Sequence, residues 1–323
     1  MKNRFLASFL MLFLTFSLAA GCAEQTATTT AGSAATTTAA TTDSGPGTTE
    51  DFTGEFIVDA SYVLEHHGDD NVILVDARGE ETARKGTIKG AVSTNWQYLS
   101  NVENATQGDY EWGLILEPAP LAERLGGLGL DKDKQIILFA EGPNGWGEDA
   151  RLLWTLRAAG YKDLKMVNGG LKALKEAGVP EAKEVTKLDP VAVEVGELDL
   201  SHVITTRELE ETYDDHKILD VRAEAEYNGE VLYGEAKGGR LPGAVHVPFT
   251  DFFTEDETLK SNADLKAMFE GAGLTTSDSI VVYCTAGIRS AYAQLIMEMT
   301  GFTNSMNYDG SYYTWAATNE VEK

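Results

Sequence analysis

The sequence predicts two tandem α/β domains, each a parallel sheet flanked by helices. Beyond Glu50 the chain repeats itself once, at an offset of about 140 to 155 residues. Short continuous apolar runs recur in both copies in the same order, the pattern of strands covered on both faces. Segments with helical apolar spacing separate those runs, and such alternation of strand and helix argues for a parallel sheet.

The first elements lie before the repeat. Lys2 and Arg4 precede an uncharged run from Phe5 to Ala20, the layout of a secretory leader over residues 1–21. The run is shorter than the roughly 20 apolar residues a spanning helix needs. Leu18-Ala19-Ala20-Gly21-Cys22 resembles a bacterial lipobox, which implies removal of the leader and acylation of Cys22. From Ala23 to Glu50, Thr supplies 11 and Ala 7 of 28 residues, with no large side chain to bury. Residues 22–50 therefore read as a tether that holds a folded body off a bilayer. The expected location is the bacterial envelope, lipid-anchored and facing away from the cytoplasm.

Within the repeat, Asp59 and Thr205 are expected to cap helices through Tyr62-Val63-Leu64 and Glu208-Leu209, with Thr205 and Glu208 at capping-box spacing. The run Val72 to Arg78 matches Lys217 to Arg222, and Ile88 to Val92 matches Leu241 to Val245. A helix ending near Gly follows in each copy. Ile136 to Phe139 then matches Ile280 to Tyr283, and helices from Ala150 to Ala159 and Ala291 to Thr300 follow. These matches place one domain at 51–182, a linker at 183–199 and the second domain at 200–323.

Composition narrows the function. The 323 residues carry 26 Lys plus Arg against 51 Asp plus Glu, a formal charge of -25. That balance excludes a phosphate-backbone reader, so nucleic acid is not an expected partner. The five histidines form no ligand pair beside a carboxylate, and no Gly-rich loop follows a strand, so neither a metal nor an organic cofactor is expected.

One segment carries chemistry. Ile280 to Tyr283 delivers Cys284-Thr285-Ala286-Gly287-Ile288-Arg289-Ser290 at the start of a helix. A side chain on such a turn faces unpaired N–H groups and the positive end of a helix dipole, which favour an anion. A thiolate at Cys284 gains from both, Gly287 lets the backbone fold closely around sulfur, and Arg289 adds a fixed positive charge. The first copy has Ala140 at the cysteine position and a longer loop, Glu141 to Gly147, so it lacks the nucleophile.

The ordered motifs Asp220-Val221-Arg222, Glu226-Tyr227-Asn228-Gly229, Gly239 to Ala244, Cys284 to Ser290 and Tyr308-Asp309-Gly310-Ser311 resemble the tandem rhodanese-type sulfurtransferases over residues 51–323. The resemblance implies that Cys284 takes a sulfane sulfur as a persulfide and passes it to a thiophilic acceptor such as cyanide or a thiol. It implies a cradle of N–H groups from Thr285, Ala286, Gly287, Ile288 and Arg289, with Arg222 and Arg289 holding an anionic donor. The first domain would wall the site, with Trp146 at the interface. Arg240, Tyr312 and Thr314 depart from the family's usual His, Trp and Glu, which leaves the donor between thiosulfate, the leading candidate, and 3-mercaptopyruvate. Two other readings share the fold: a module that binds or senses sulfur species without turnover, and a phosphatase-like enzyme. Oligomeric state is not readable from the sequence.

Overall fold

The computed structural model describes residues 51–323, and the leader, Cys22 and the Thr/Ala-rich segment lie outside the described residues. In the first half the strands of the main sheet are β1 (Ile57–Val58), β2 (Val72–Asp76), β3 (Val92–Ser93), β4 (Gln135–Phe139) and β5 (Leu164–Val167), beside a short antiparallel pair of Thr87–Ile88 with Glu181–Ala182. They pair in parallel in the order β1-β5-β4-β2-β3. The second half has β6 (Val203–Ile204), β7 (Lys217–Asp220), β8 (Val245–His246), β9 (Ile280–Tyr283) and β10 (Ser305–Tyr308). Their order, β6-β10-β9-β7-β8, repeats the first and is again wholly parallel. The expected fold class is what the chain adopts.

Helices α1 (Ala60–His66), α2 (Glu80–Ala83), α3 (Pro118–Gly127), α4 (Glu148–Ala158) and α5 (Gly170–Glu176) flank the first sheet. Their counterparts are α6 (Thr206–Thr212), α7 (Glu224–Tyr227), α8 (Asn262–Gly271), α9 (Ile288–Met299) and α10 (Ser311–Thr318). Thr205 forms the expected capping box with Glu208. Asp59 has the extended backbone of an N-cap, but its carboxylate accepts no helix N–H.

Strand alternation sorts the core into three parts, because successive side chains point to opposite faces. On β4, Ile137 and Phe139 meet α1 and α5 in an outer cluster with Val63 and Leu171. Their neighbours Ile136 and Leu138 face a larger cluster shared by both halves, which includes Leu152, Leu153 and Leu156 of α4 with Tyr292, Leu295 and Ile296 of α9. On β9 the same division sends Val281 and Tyr283 outward, against α6 and α10, and Ile280 and Val282 into the shared core. Helices α4 and α9 therefore pack face to face. Their N-termini, each beginning at the carboxyl end of a central strand, meet at the boundary between the halves, where open parallel sheets bind ligands.

Candidate active site

Cys284 is the first residue after β9, and the start of α10 grips its loop from behind. Its N–H donates to Ser311 Oγ at 3.1 Å, while its carbonyl and that of Thr285 each accept, at 3.0 Å, from Tyr312 and Tyr313. Ser311 itself sits at φ 49°, a left-handed position that non-Gly residues seldom take. Gly287 caps α9 at φ 79°, and a Cβ there would stand 2.6 Å from the Asp309 carbonyl oxygen and 2.7 Å from Arg151 Nη1. Any side chain at Gly287 would push the loop off its support.

The thiol is only 1% exposed and lies on the floor of a cavity. Burial pushes its pKa up, but Arg289, the Ser290 hydroxyl and the N–H groups of Ser290 and Ala286 outweigh that and hold it below the ordinary cysteine value. Ser290 Oγ stands 3.6 Å from Sγ. Thr285, Ala286, Ile288 and Arg289 share the cavity lining with Cys284, whereas Gly287 turns its carbonyl toward Arg151, outside it.

Arg289 is held by a two-point ion pair with Glu226, at 2.8 and 2.9 Å, and Thr285 Oγ1 accepts from it at 2.7 Å. Its guanidinium stacks over Trp146 of the first half, 4.9 Å from the ring centroid. Arg222, expected to flank a donor beside Arg289, is instead enclosed. It donates to Asp220 at 2.7 Å and to the Gly239 carbonyl at 2.8 Å, lies 3.9 Å over the Tyr312 ring, and has no exposed surface. Asp220, paired with the last residue of β9, turns Arg222 back along the strand end and so away from the cavity.

The first half walls the cavity, whose volume is about 430 Å³, with Arg78, Trp96, Trp112, Trp146 and Glu148 among its lining residues. Trp146 packs edge to face on Tyr233, with centroids 5.2 Å apart, and so stands at the boundary between halves as expected. Ala140, at the cysteine position of this half, is wholly buried. Arg151 of α4 crosses the boundary to donate to the Gly287 carbonyl at 2.9 Å and to pair with Asp309 at 2.6 Å. Sequence reasoning did not single out Glu226, Ser290, Arg78, Glu148 or Arg151 for the site. Glu226 and Ser290 were visible within their motifs, and Arg78 repeats the Asp-x-Arg spelling of Arg222; Glu148 and Arg151 carry no local signal.

Among the described residues, no group of His, Cys, Asp or Glu is arranged to hold a metal ion, and no helix is long and apolar enough to cross a membrane. What the arrangement can do is hold a thiolate, stabilise an anionic sulfur chain on it, and enclose a second molecule above it.

Comparison with known proteins agrees with this geometry. The rhodanese-like domain family matches residues 59–177 and 205–318. A sulfur carrier protein of Thermus thermophilus is 29% identical over 282 residues, covering 81% of this chain and 93% of that one. A 3-mercaptopyruvate sulfurtransferase of Escherichia coli is also 29% identical, over 290 residues, covering 81% and 95%. The crystal structure of an Escherichia coli 3-mercaptopyruvate sulfurtransferase superposes with a TM-score of 0.70 at 25% identity, covering 80% of this chain and 99% of that one.

Proposed function

The chain belongs to the rhodanese-like domain family and shares its sulfurtransferase chemistry; within that chemistry we propose that Cys284 is the sulfur-carrying nucleophile. The observation that carries this is the thiol's setting: a buried sulfur whose pKa is nonetheless lowered, by Arg289, Ser290 and loop N–H groups, at the floor of a cavity. The Cys284 thiolate attacks the terminal sulfur of a sulfane donor, that sulfur's bond to the rest of the donor breaks, and a persulfide anion remains on Cys284. With thiosulfate the leaving group is sulfite, and charge is conserved. The loop N–H groups and Arg289 then stabilise the persulfide until an acceptor thiolate or cyanide takes the outer sulfur and Cys284 leaves as a thiolate.

Thiosulfate and 3-mercaptopyruvate remain the proposed donors, with Arg289 rather than Arg222 as the cation that meets them, since Arg222 is enclosed by Asp220 and Gly239. Intact-mass analysis after thiosulfate exposure tests the reading. One added sulfur atom on the wild type, none on Cys284→Ser, and transfer to cyanide by the wild type alone are expected. A stable adduct with no transfer to any acceptor would support the sensing reading, and no adduct with either thiosulfate or 3-mercaptopyruvate would refute the assignment.

We also propose that Cys22 is acylated and that residues 22–50 tether the enzyme to an envelope membrane, on the lipobox-like run before Cys22.

A further inference from the structure

The cavity over Cys284 is large for the donors considered above. Thiosulfate is a five-atom dianion, whereas about 430 Å³ is available, and five aromatic side chains line the cavity. Trp112 packs edge to face on both Trp96 and Tyr313, with centroids 6.1 and 5.2 Å away. Trp146 and Tyr233 form a second such pair. Ring faces of this kind attract organic cations.

The charges agree. Two cations line the cavity, and each is already answered by carboxylates. Arg289 is paired with Glu226, and Arg78 with Asp76 and Glu141. Glu148 also lines the cavity, and among the described residues it has no cationic nitrogen within 4.0 Å. Its carboxylate accepts from the backbone N–H of Trp146 at 2.9 Å, at the start of α4. Burial is the main influence on this carboxyl and, with Glu141, pushes its pKa up against the opposing backbone N–H groups of Trp146 and Glu148 and the more distant Arg78. A positive charge arriving from a ligand would relieve that. Of the three charged side chains that line the cavity, the two guanidinium groups are therefore engaged, and Glu148 is left without a cation.

We propose that the acceptor in the second half-reaction is an organic cation, of the aminothiol class, with its ammonium on Glu148 among the indole and phenol rings and its sulfur toward Cys284. This rests on Cys284 carrying a persulfide. The acceptor thiolate attacks the outer sulfur, the bond between that sulfur and Cys284 breaks, and the electron pair leaves on the Cys284 thiolate. The acceptor departs as a hydropersulfide anion, and no oxidant or reductant is consumed.

The test has two arms. Persulfide-loaded enzyme is discharged with cysteamine, β-mercaptoethanol or mercaptopropionate, each rate being divided by that thiol's rate with a small persulfide in solution. A cysteamine preference over mercaptopropionate of about tenfold is expected, largely erased in Glu148→Gln. Independently of any sulfur chemistry, indole fluorescence reads binding of phenethylammonium, phenethyl alcohol and phenylacetate to the unloaded wild type, with the cation expected about tenfold tighter than phenylacetate. Equal or tighter binding of phenylacetate, or a cysteamine preference that survives Glu148→Gln, overturns the proposal. Failure of sulfur loading would refute the persulfide reading alone, because the binding arm still decides the charge preference.

Discussion

Arg151 and Asp309 pair at 2.6 Å across the boundary between the halves, with the Arg151 side chain fully enclosed and Asp309 nearly so. The same guanidinium donates to the Gly287 carbonyl at 2.9 Å and to the Gly113 carbonyl at 3.0 Å, and lies 4.8 Å over the Trp154 ring. Asp309 Oδ2 in turn accepts from the Ile115 N–H at 3.1 Å. The half without a nucleophile therefore holds the backbone of the nucleophile's loop from behind.

The first prediction follows from that hold. Arg151→Lys keeps a charge but cannot reach Gly287, Gly113 and Asp309 together, so the loop N–H groups should lose their aim at sulfur. Sulfur loading should slow about tenfold and the Cys284 pKa should rise. The pH dependence of Cys284 alkylation by iodoacetamide measures the pKa directly. A variant that melts earlier yet keeps the wild-type alkylation profile would reduce Arg151 to a structural role. Arg151→Met is the less informative change, because an unpaired buried Asp309 is expected to cost about 3–5 kcal/mol.

Arg289 and Arg222 should part company under the same substitution. Arg289→Lys replaces a planar fork held on Glu226 with a point charge, and should slow loading by about tenfold while raising the thiol pKa. Arg222→Lys loses contacts with Asp220 and Gly239 inside the fold, and should cost about 1–3 kcal/mol of stability without moving the donor KM. Thermal melts beside steady-state kinetics separate the two. A raised KM in Arg222→Lys at unchanged stability would mean that Arg222 meets the donor.

Acid should act through Glu226. Burial pushes this carboxyl up, but Arg289, the Thr285 hydroxyl and the Ala223 N–H more than compensate and hold it below the ordinary glutamate value. A carboxyl depressed in the folded state contributes stability above its unfolded pKa, and that contribution is lost as pH falls through the folded value. Melting temperature should therefore drop on acidification below the ordinary glutamate range, and Glu226→Gln, less stable at neutral pH, should show a shallower drop. Parallel slopes for the two proteins would contradict the assignment.

Reaction class should follow loop length. Arg289 comes five residues after Cys284, and Ser290 occupies the next place, where related phosphatases carry their Arg. The shorter ring suits one terminal sulfur better than a tetrahedral phosphate, and the loop contains no Asp to protonate a leaving alkoxide. No measurable hydrolysis of aryl phosphates is expected, and one residue inserted between Gly287 and Arg289 should weaken sulfur transfer. Phosphatase activity lost in Cys284→Ser would reverse the assignment.

Membrane attachment is tested by detergent partitioning. The wild type is expected in the detergent phase, and Cys22→Ser in the aqueous phase or unprocessed. Wild-type protein found wholly in the aqueous phase with an unmodified Cys22 would remove the anchor.

Much of the fold and of the loop is legible in the sequence, for identifiable reasons. Continuous runs such as Ile136 to Phe139 and Ile280 to Tyr283 announce central strands, and their recurrence announces the duplication. Cys284, Gly287 and Arg289 are close in sequence, so one loop displays them together. Glu226 and Arg289 are 63 residues apart, and Arg151 and Gly287 are 136 apart, so only the packing of α4 against α9 brings the latter pair together. Arg78 and Arg222 show a different limit. Both follow a strand-end Asp with the same spelling, yet Arg78 lines the cavity and Arg222 lies beneath Tyr312. The copies are alike as sequences, but their environments differ once the two halves meet.

The apolar cluster that runs through α4 and α9 is shared by both halves, so the two are expected to unfold together. Cutting the chain between them would expose a row of leucines on one fragment and Tyr292, Leu295 and Ile296 on the other, with no solvent-tolerant surface beneath. Calorimetry should accordingly record one unfolding transition rather than two. The copy without a cysteine is then no spare part: a fragment that kept every reacting atom would still carry a bare apolar face and should aggregate.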